Sequence, residues 1–108
     1  METQFVKIVV FTPLAHSDEV RLTLAKAGAG MIGNYDSCSF SSRGIGRFRP
    51  LKGAQPFVGE IGKTEEVEEE RIEVICPQNI LKKVIEELKK THPYEEPAID
   101  IYPLLNDV

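Results

Sequence analysis

The sequence has no tryptophan, two cysteines, two methionines and two histidines among 108 residues. Two cysteines, Cys38 and Cys76, are too few for the disulfide framework of a small secreted domain. With no Cys-x-x-Cys pair and no Cys/His ladder, a structural zinc site is not expected. No apolar run approaches the roughly 20 residues needed to span a membrane. The opening METQFVKIVVFT has no charged stretch ahead of a long apolar core, so it does not read as a signal peptide. Positive charge is also in deficit, with 13 Lys+Arg against 17 Asp+Glu, a net charge of -4 and a pI near 5.2. That balance lacks the broad electrostatic footprint of a nucleic-acid binder. The expectation is a cytoplasmic protein with neither a membrane nor a nucleic-acid partner.

Against these absences stand 42% hydrophobic and 28% charged residues, the proportions of a folded domain rather than a disordered chain. The length predicts one domain over residues 1–108, with a modest core. Phe5–Thr12 (FVKIVVFT) is β-branched and aromatic, stops at Pro13 and is interrupted only by Lys7, as in a central strand. The segment HSDEVRLTLAKAGAG reads as a helix, with Ser17 as N-cap, Asp18 and Glu19 in the first turn and Gly28 or Gly30 as the stop. Val20, Leu24 and Ala27 share one face of it. From Met31 to Gly62 lie six of the eight glycines. Tyr35, Cys38 and Phe40 mark a Ser-rich strand there, and the remainder reads as a long excursion without regular structure. In TEEVEEERIEVICP the part from Arg71 alternates with a strand period, with Ile72, Val74 and Cys76 inward. The acidic run Glu65–Glu70 reads as a solvated edge that resists strand addition. QNILKKVIEELKKTH carries Leu81, Val84, Ile85 and Leu88 on one helical face and ends at Pro93. A last strand between Pro97 and Leu104 has prolines at both ends, which suits a sheet edge. The order βαββαβ predicts an α+β ferredoxin-like sandwich, an antiparallel four-stranded sheet with two helices on one face.

Three stretches carry groups capable of chemistry. His92-Pro93-Tyr94-Glu95-Glu96-Pro97 places an imidazole, a phenol and two carboxylates within five residues. An imidazole with a carboxylate suits a divalent metal, and Tyr94 with Glu95 suits a small ligand. The alternative is a helix end, a packed ring and two edge prolines, because neighbours in an extended chain alternate sides. Gly28-x-Gly30-x-x-Gly33 follows a helix instead of linking a strand to a helix start, so it reads as a C-cap and a turn rather than a dinucleotide loop. Arg43–Lys52 (RGIGRFRPLK) suits either phosphate or RNA, or a β-ribbon at a subunit contact, and the net negative chain favours the ribbon. Cys76 is expected in the core, Cys38 in the core or at an interface, and His16 near the start of the first helix. No Ser-His-Asp, Cys-His or paired-carboxylate arrangement follows from the spacing.

Taken together, GAGMIGNYDSCSF, the Gly-rich RGIGRFRPLKGAQPFVGEIG, EERIEV and HPYEEPAIDIYPL resemble the domain inserted in NGG-interacting-factor-three-like proteins of the YqfO type. HPYEEP also resembles a segment of CutA, the divalent-cation-tolerance protein. The resemblance spans Phe5 to Leu104 and implies a free-standing CutA/PII-like domain of a kind that favours trimers. In that larger family a dinuclear metal site is built by segments flanking the insert, so no metal-dependent hydrolase chemistry is carried over to these residues. The resemblance places Asn34, Tyr35, Cys38, His92, Tyr94 and Glu95 in motif positions. The expected function is a non-catalytic regulatory, binding or assembly module: a homo-oligomer, with a protein partner or a small-molecule effector. The first alternative is CutA-like binding of a divalent metal, copper or zinc, through His92 with Glu95 or Glu96 and Cys38. The second is an enzyme whose site is shared between subunits.

Overall fold

Phe5–Pro13 is apolar at nearly every position, and it forms β1, a strand paired on both sides. The computed structural model describes residues 4–105. After β1 come α1 (Ser17–Lys26), β2 (Phe40–Phe48), β3 (Glu65–Pro77), α2 (Leu81–Thr91) and β4 (Ile99–Pro103), and a single 3-10 turn leads into each helix. The strands lie in the order β2-β3-β1-β4, and every pair is antiparallel. This is the expected ferredoxin-like arrangement, with β4 on an edge.

The core follows from the period of two in the strands and of 3.6 in the helices. Val6, Ile8 and Val10 of β1 and Ile72, Val74 and Cys76 of β3 point to one face. Val20 and Leu24 of α1 and Val84 and Leu88 of α2 close over them. Burial of each such side chain stabilises the fold by about 1.5–3 kcal/mol. Neither helix covers the opposite face, where Lys7, Ile75 and Tyr102 lie side by side in the register.

The end of α1 explains the glycine at 28. The Ala29 amide bonds the Leu24 carbonyl at 3.0 Å and the Gly28 amide bonds that of Ala25 at 3.1 Å. These are the two bonds of a Schellman cap, which needs a left-handed residue, and Gly28 sits at φ 107°. The start of the helix differs from expectation. His16 holds the N-cap position without a side-chain cap bond, and Ser17 is the first helical residue. The Ser17 hydroxyl is buried without a hydrogen-bond partner among the described residues.

Three further expectations need correction. Tyr35 and Cys38 precede β2 and lie outside any ladder, because Gly33 and Asn34 form a tight turn in which Ile32 and Tyr35 exchange backbone bonds of 2.9 and 3.0 Å. The acidic run is an edge only in part, with Glu65–Glu68 open on one side while Glu69 and Glu70 are paired on both, and the excursion is not wholly irregular. Glu65–Glu70 is the first half of β3 and pairs with Arg43–Phe48 of β2. Since β1 reaches only as far as Glu69, residues Glu65–Glu68 pair with β2 alone, in a two-stranded arm that extends past the sheet. Opposed charges explain the pairing: Arg47 faces Glu66 in the register and Arg43 faces Glu70. The Arg47 guanidinium meets Glu66 at 2.7 Å, although both side chains are mostly exposed and the pair contributes at most about 1 kcal/mol. Between β2 and β3, residues 49–64 lack a strand or helix.

Candidate functional site

The helix α2 stops at Thr91 because Pro93 cannot continue it, and His92 takes the extended conformation expected before proline, φ -65° and ψ 135°. That turn drives the His92 ring under the end of β1, where the residue is 6% exposed. Its Nε2 lies 2.7 Å from the Phe11 carbonyl oxygen, and its Nδ1 lies 3.0 Å from the Tyr94 amide nitrogen. A carbonyl only accepts and an amide N–H only donates, so both contacts are satisfied by one species, the neutral ring with its proton on Nε2. Burial pushes the pKa of His92 down, against the Phe11 carbonyl and the Glu69 charge, which favour the proton; His16 opposes it weakly. His92 is therefore a neutral brace between α2, β1 and Tyr94, rather than a cation at the end of the helix dipole.

Tyr94 turns back over β3. Its hydroxyl donates to Glu69 Oε2 at 2.8 Å, and its ring centroid lies 6.0 Å from that of Phe48 and 6.4 Å from that of Phe57. Burial, the bond to Glu69 and the carboxylate charge, in that order, push the phenol well above its ordinary range, so Tyr94 acts as a fixed donor. Glu69 is 8% exposed. Its second oxygen lies over Gly46 of the neighbouring strand, so close that a Cβ added there would be 2.0 Å from it. Glycine at 46 is what lets the carboxylate lie flat.

Residues 49–64 then fold back over the arm. The Gly62 amide bonds the Pro50 carbonyl at 2.7 Å and closes the loop at its neck. Its body is held by the Gln55 amide, which donates to Glu95 Oε1 at 3.0 Å, and by Phe57, which meets the His16 ring edge-on at 5.5 Å. Between arm, loop and the Tyr94–Ala98 segment lies a cavity of about 510 Å³, walled mainly by aromatic, proline and aliphatic groups, with Glu69 beneath. A larger hollow of about 710 Å³ lies at the other end of β1, lined by residues such as Gln4, Phe5 and Pro103, with no titratable side chain among the described residues of its wall. The smaller cavity is the candidate site, because apolar walls with a few convergent polar groups are what a ligand site requires.

The structure thus brings together His92, Tyr94 and Glu95, with Glu96 also at the cavity. It does not bring Asn34, Tyr35 or Cys38 to them. Cys38 is held by the Gly30 carbonyl at 2.9 Å, and the Gly30 amide in turn bonds the Ile75 carbonyl. Ile75 and Glu69 are six residues apart on β3, about 20 Å at strand rise. Tyr35 is 74% exposed at its turn, and Asn34 is exposed beside it. The metal set of His92, Glu95 and Glu96, with or without Cys38, does not fit either. Both His92 nitrogens are in hydrogen bonds, Glu95 is tied to the loop backbone, and no group of three His, Cys, Asp or Glu side chains suited to a metal occurs among the described residues. The residues that sequence reading missed are Glu69, Gly46, Phe48 and Phe57. Glu69 was hidden among five glutamates, and only its place opposite Gly44, with its carboxylate laid over Gly46 two residues along β2, sets it apart.

Comparison with known proteins adds the wider setting. No family model matches the chain. It is 52% identical over 101 residues to a protein of Halalkalibacterium halodurans named GTP cyclohydrolase 1 type 2 homolog, and 51% identical over 98 residues to one of the same name in Bacillus subtilis. The chain spans only about a quarter of those relatives, 27% and 26% of their lengths. Among solved structures, a Bacillus cereus protein related to NIF3 superposes with TM-score 0.84 at 49% identity, over 96% of this chain and 26% of that one. The periplasmic divalent cation tolerance protein CutA from Archaeoglobus fulgidus superposes with TM-score 0.69 at 19% identity, over 96% of this chain and 87% of that one, a likeness of fold alone. The resemblance read from the motifs holds: nearly the whole chain matches one CutA-like domain within larger NIF3-like proteins. Among the described residues, no helix is long and apolar enough to cross a membrane.

Proposed function

We propose that the chain is a non-catalytic binding and assembly module that forms homo-oligomers, with three copies as the expected number. The observation that carries this reading is the sheet face opposite the helices. Phe40, 69% exposed, and Tyr102, 46% exposed, stand at its two edges, with Ile75 and Lys7 between them. The outer strands β2 and β4 leave backbone donors and acceptors unpaired in the sheet, a second means of joining copies. A two-stranded arm is marginal on its own, and a neighbouring copy would supply what the sheet does not. The occupant of this face is a second copy of the chain, whose own arm and edges offer the complementary surface.

Light scattering coupled to size exclusion tests it. The expected particle is three times the 12.1 kDa chain at micromolar concentration. Phe40→Asp together with Tyr102→Asp should yield folded monomers. A folded 12.1 kDa monomer in the unaltered protein would overturn the reading.

A further inference from the structure

The cavity beneath the loop has an unusual combination of walls. Phe48, Phe57 and Tyr94 all line it, with Tyr94 at the middle of the set. The rings of Phe48 and Phe57 are tilted by 56° and 55° to that of Tyr94, so the three do not stack flat on one another. Aromatic faces carry negative charge density, and a cation within about 6 Å of their centroids is attracted to them. The charged group buried in the wall is Glu69, whose Oε2 is bonded by Tyr94 while its Oε1 lies over Gly46 with no hydrogen-bond donor among the described residues. Glu95 and Glu96 stand at the rim. Arg47 and Arg49 also border the cavity, but both are exposed, and Arg47 is engaged with Glu66 on the arm.

A buried carboxylate with an oxygen to spare disfavours an anion and leaves negative potential uncompensated. Apart from Glu69, the carboxylates in the described wall are the exposed Glu95 and Glu96, the first already bonded by the Gln55 amide, so a strongly hydrated ammonium or a metal ion would lose more acceptors in water than it regained. An alkylated ammonium sheds water easily, presents methyl groups to the rings and keeps its charge. We infer that this cavity binds a small organic cation with a quaternary or methylated ammonium head, held among Phe48, Phe57 and Tyr94 above the Glu69 carboxylate. This names the ligand class for the binding half of the function proposed above. It does not depend on assembly, since every wall comes from one chain.

The probes are choline and its uncharged isostere 3,3-dimethylbutan-1-ol, which have the same shape and differ in charge. Calorimetric titration of the intact protein should give a dissociation constant for choline at least about tenfold below that for the alcohol. Glu69→Gln should erase that preference. Phe57→Ala, at an exposed loop position where folding is not at stake, should weaken choline by about tenfold while the circular dichroism spectrum is unchanged. Equal affinity for the two probes, absence of choline binding at millimolar concentration, or full choline affinity in Phe57→Ala would each overturn the assignment. Light scattering on the same samples separates this result from the assembly reading: a trimer that ignores choline sinks only the ligand, and a monomer that binds choline sinks only the assembly.

Discussion

The two halves of β3 obey different rules although they form one continuous strand. From Arg71 to Pro77 alternate side chains enter the core, and register is fixed by what is buried. From Glu65 to Glu68 the strand has one neighbour, Glu66 and Glu68 are exposed, and register is fixed by opposed charges and by the close approach of Glu69 to Gly46. The Arg71–Pro77 half is held chiefly by the hydrophobic effect. The acidic half is held by weaker interactions, and it is the half whose end at Glu69, with Gly46, Arg47 and Phe48 of the paired strand, lines the cavity.

That contrast can be sharpened by substitution. The largest effect is expected in the core: Leu88→Ala should cost about 3 kcal/mol, read from the shift in urea midpoint, while Ile45→Ala on the arm should cost less than about 0.5 kcal/mol. Equal costs would mean that the arm is as firmly packed as the body. Next, Gly46→Val forces a side chain into the space of the Glu69 carboxylate and breaks its bond with Tyr94, at about 2 kcal/mol. Loss of the Tyr94 hydroxyl proton's protected signal in NMR spectra is the accompanying sign; its survival would show that the carboxylate has another resting place.

A smaller effect concerns His92. Its folded pKa lies below the ordinary 6.5, so between those two values the unfolded chain holds more protons. Stability is then level above about pH 6.5 and falls as the pH drops toward the folded value. The loss in urea midpoint between pH 7.5 and 5.5 should be smaller in His92→Gln, and nitrogen shifts should show the ring proton on Nε2. An identical pH slope in the variant would remove His92 from the account. The smallest effect is Arg47→Ala: at most about 1 kcal/mol, vanishing in molar salt.

The body of the fold was legible because its signals are local. Alternation in Arg71–Pro77, the 3.6 period in Leu81–Leu88 and the proline stops at Pro13 and Pro93 each need only a short window. The arm was not legible because its logic is non-local. Arg43 and Arg47 are four apart, as are Glu66 and Glu70, and only the antiparallel register sets each against its opposite. The same applies to the site. The motif His92–Pro97 reaches the candidate cavity through Tyr94, Glu95 and Glu96, but the metal chemistry considered for the imidazole does not fit, since its two nitrogens are spent on Phe11 and Tyr94. Asn34, Tyr35 and Cys38 were grouped with that segment by the resemblance alone, and the structure holds them apart from it, Cys38 being tied through Gly30 to Ile75.

The pinched neck of the 49–64 loop has a mechanical consequence. Because Pro50 and Gly62 are tied to each other, the loop body can swing as one flap on a narrow stem. Its described fastenings to the body are the Gln55–Glu95 bond and the rings that Phe57 touches. A guest could enter the cavity by releasing those few contacts, with every rung between β2 and β3 left in place.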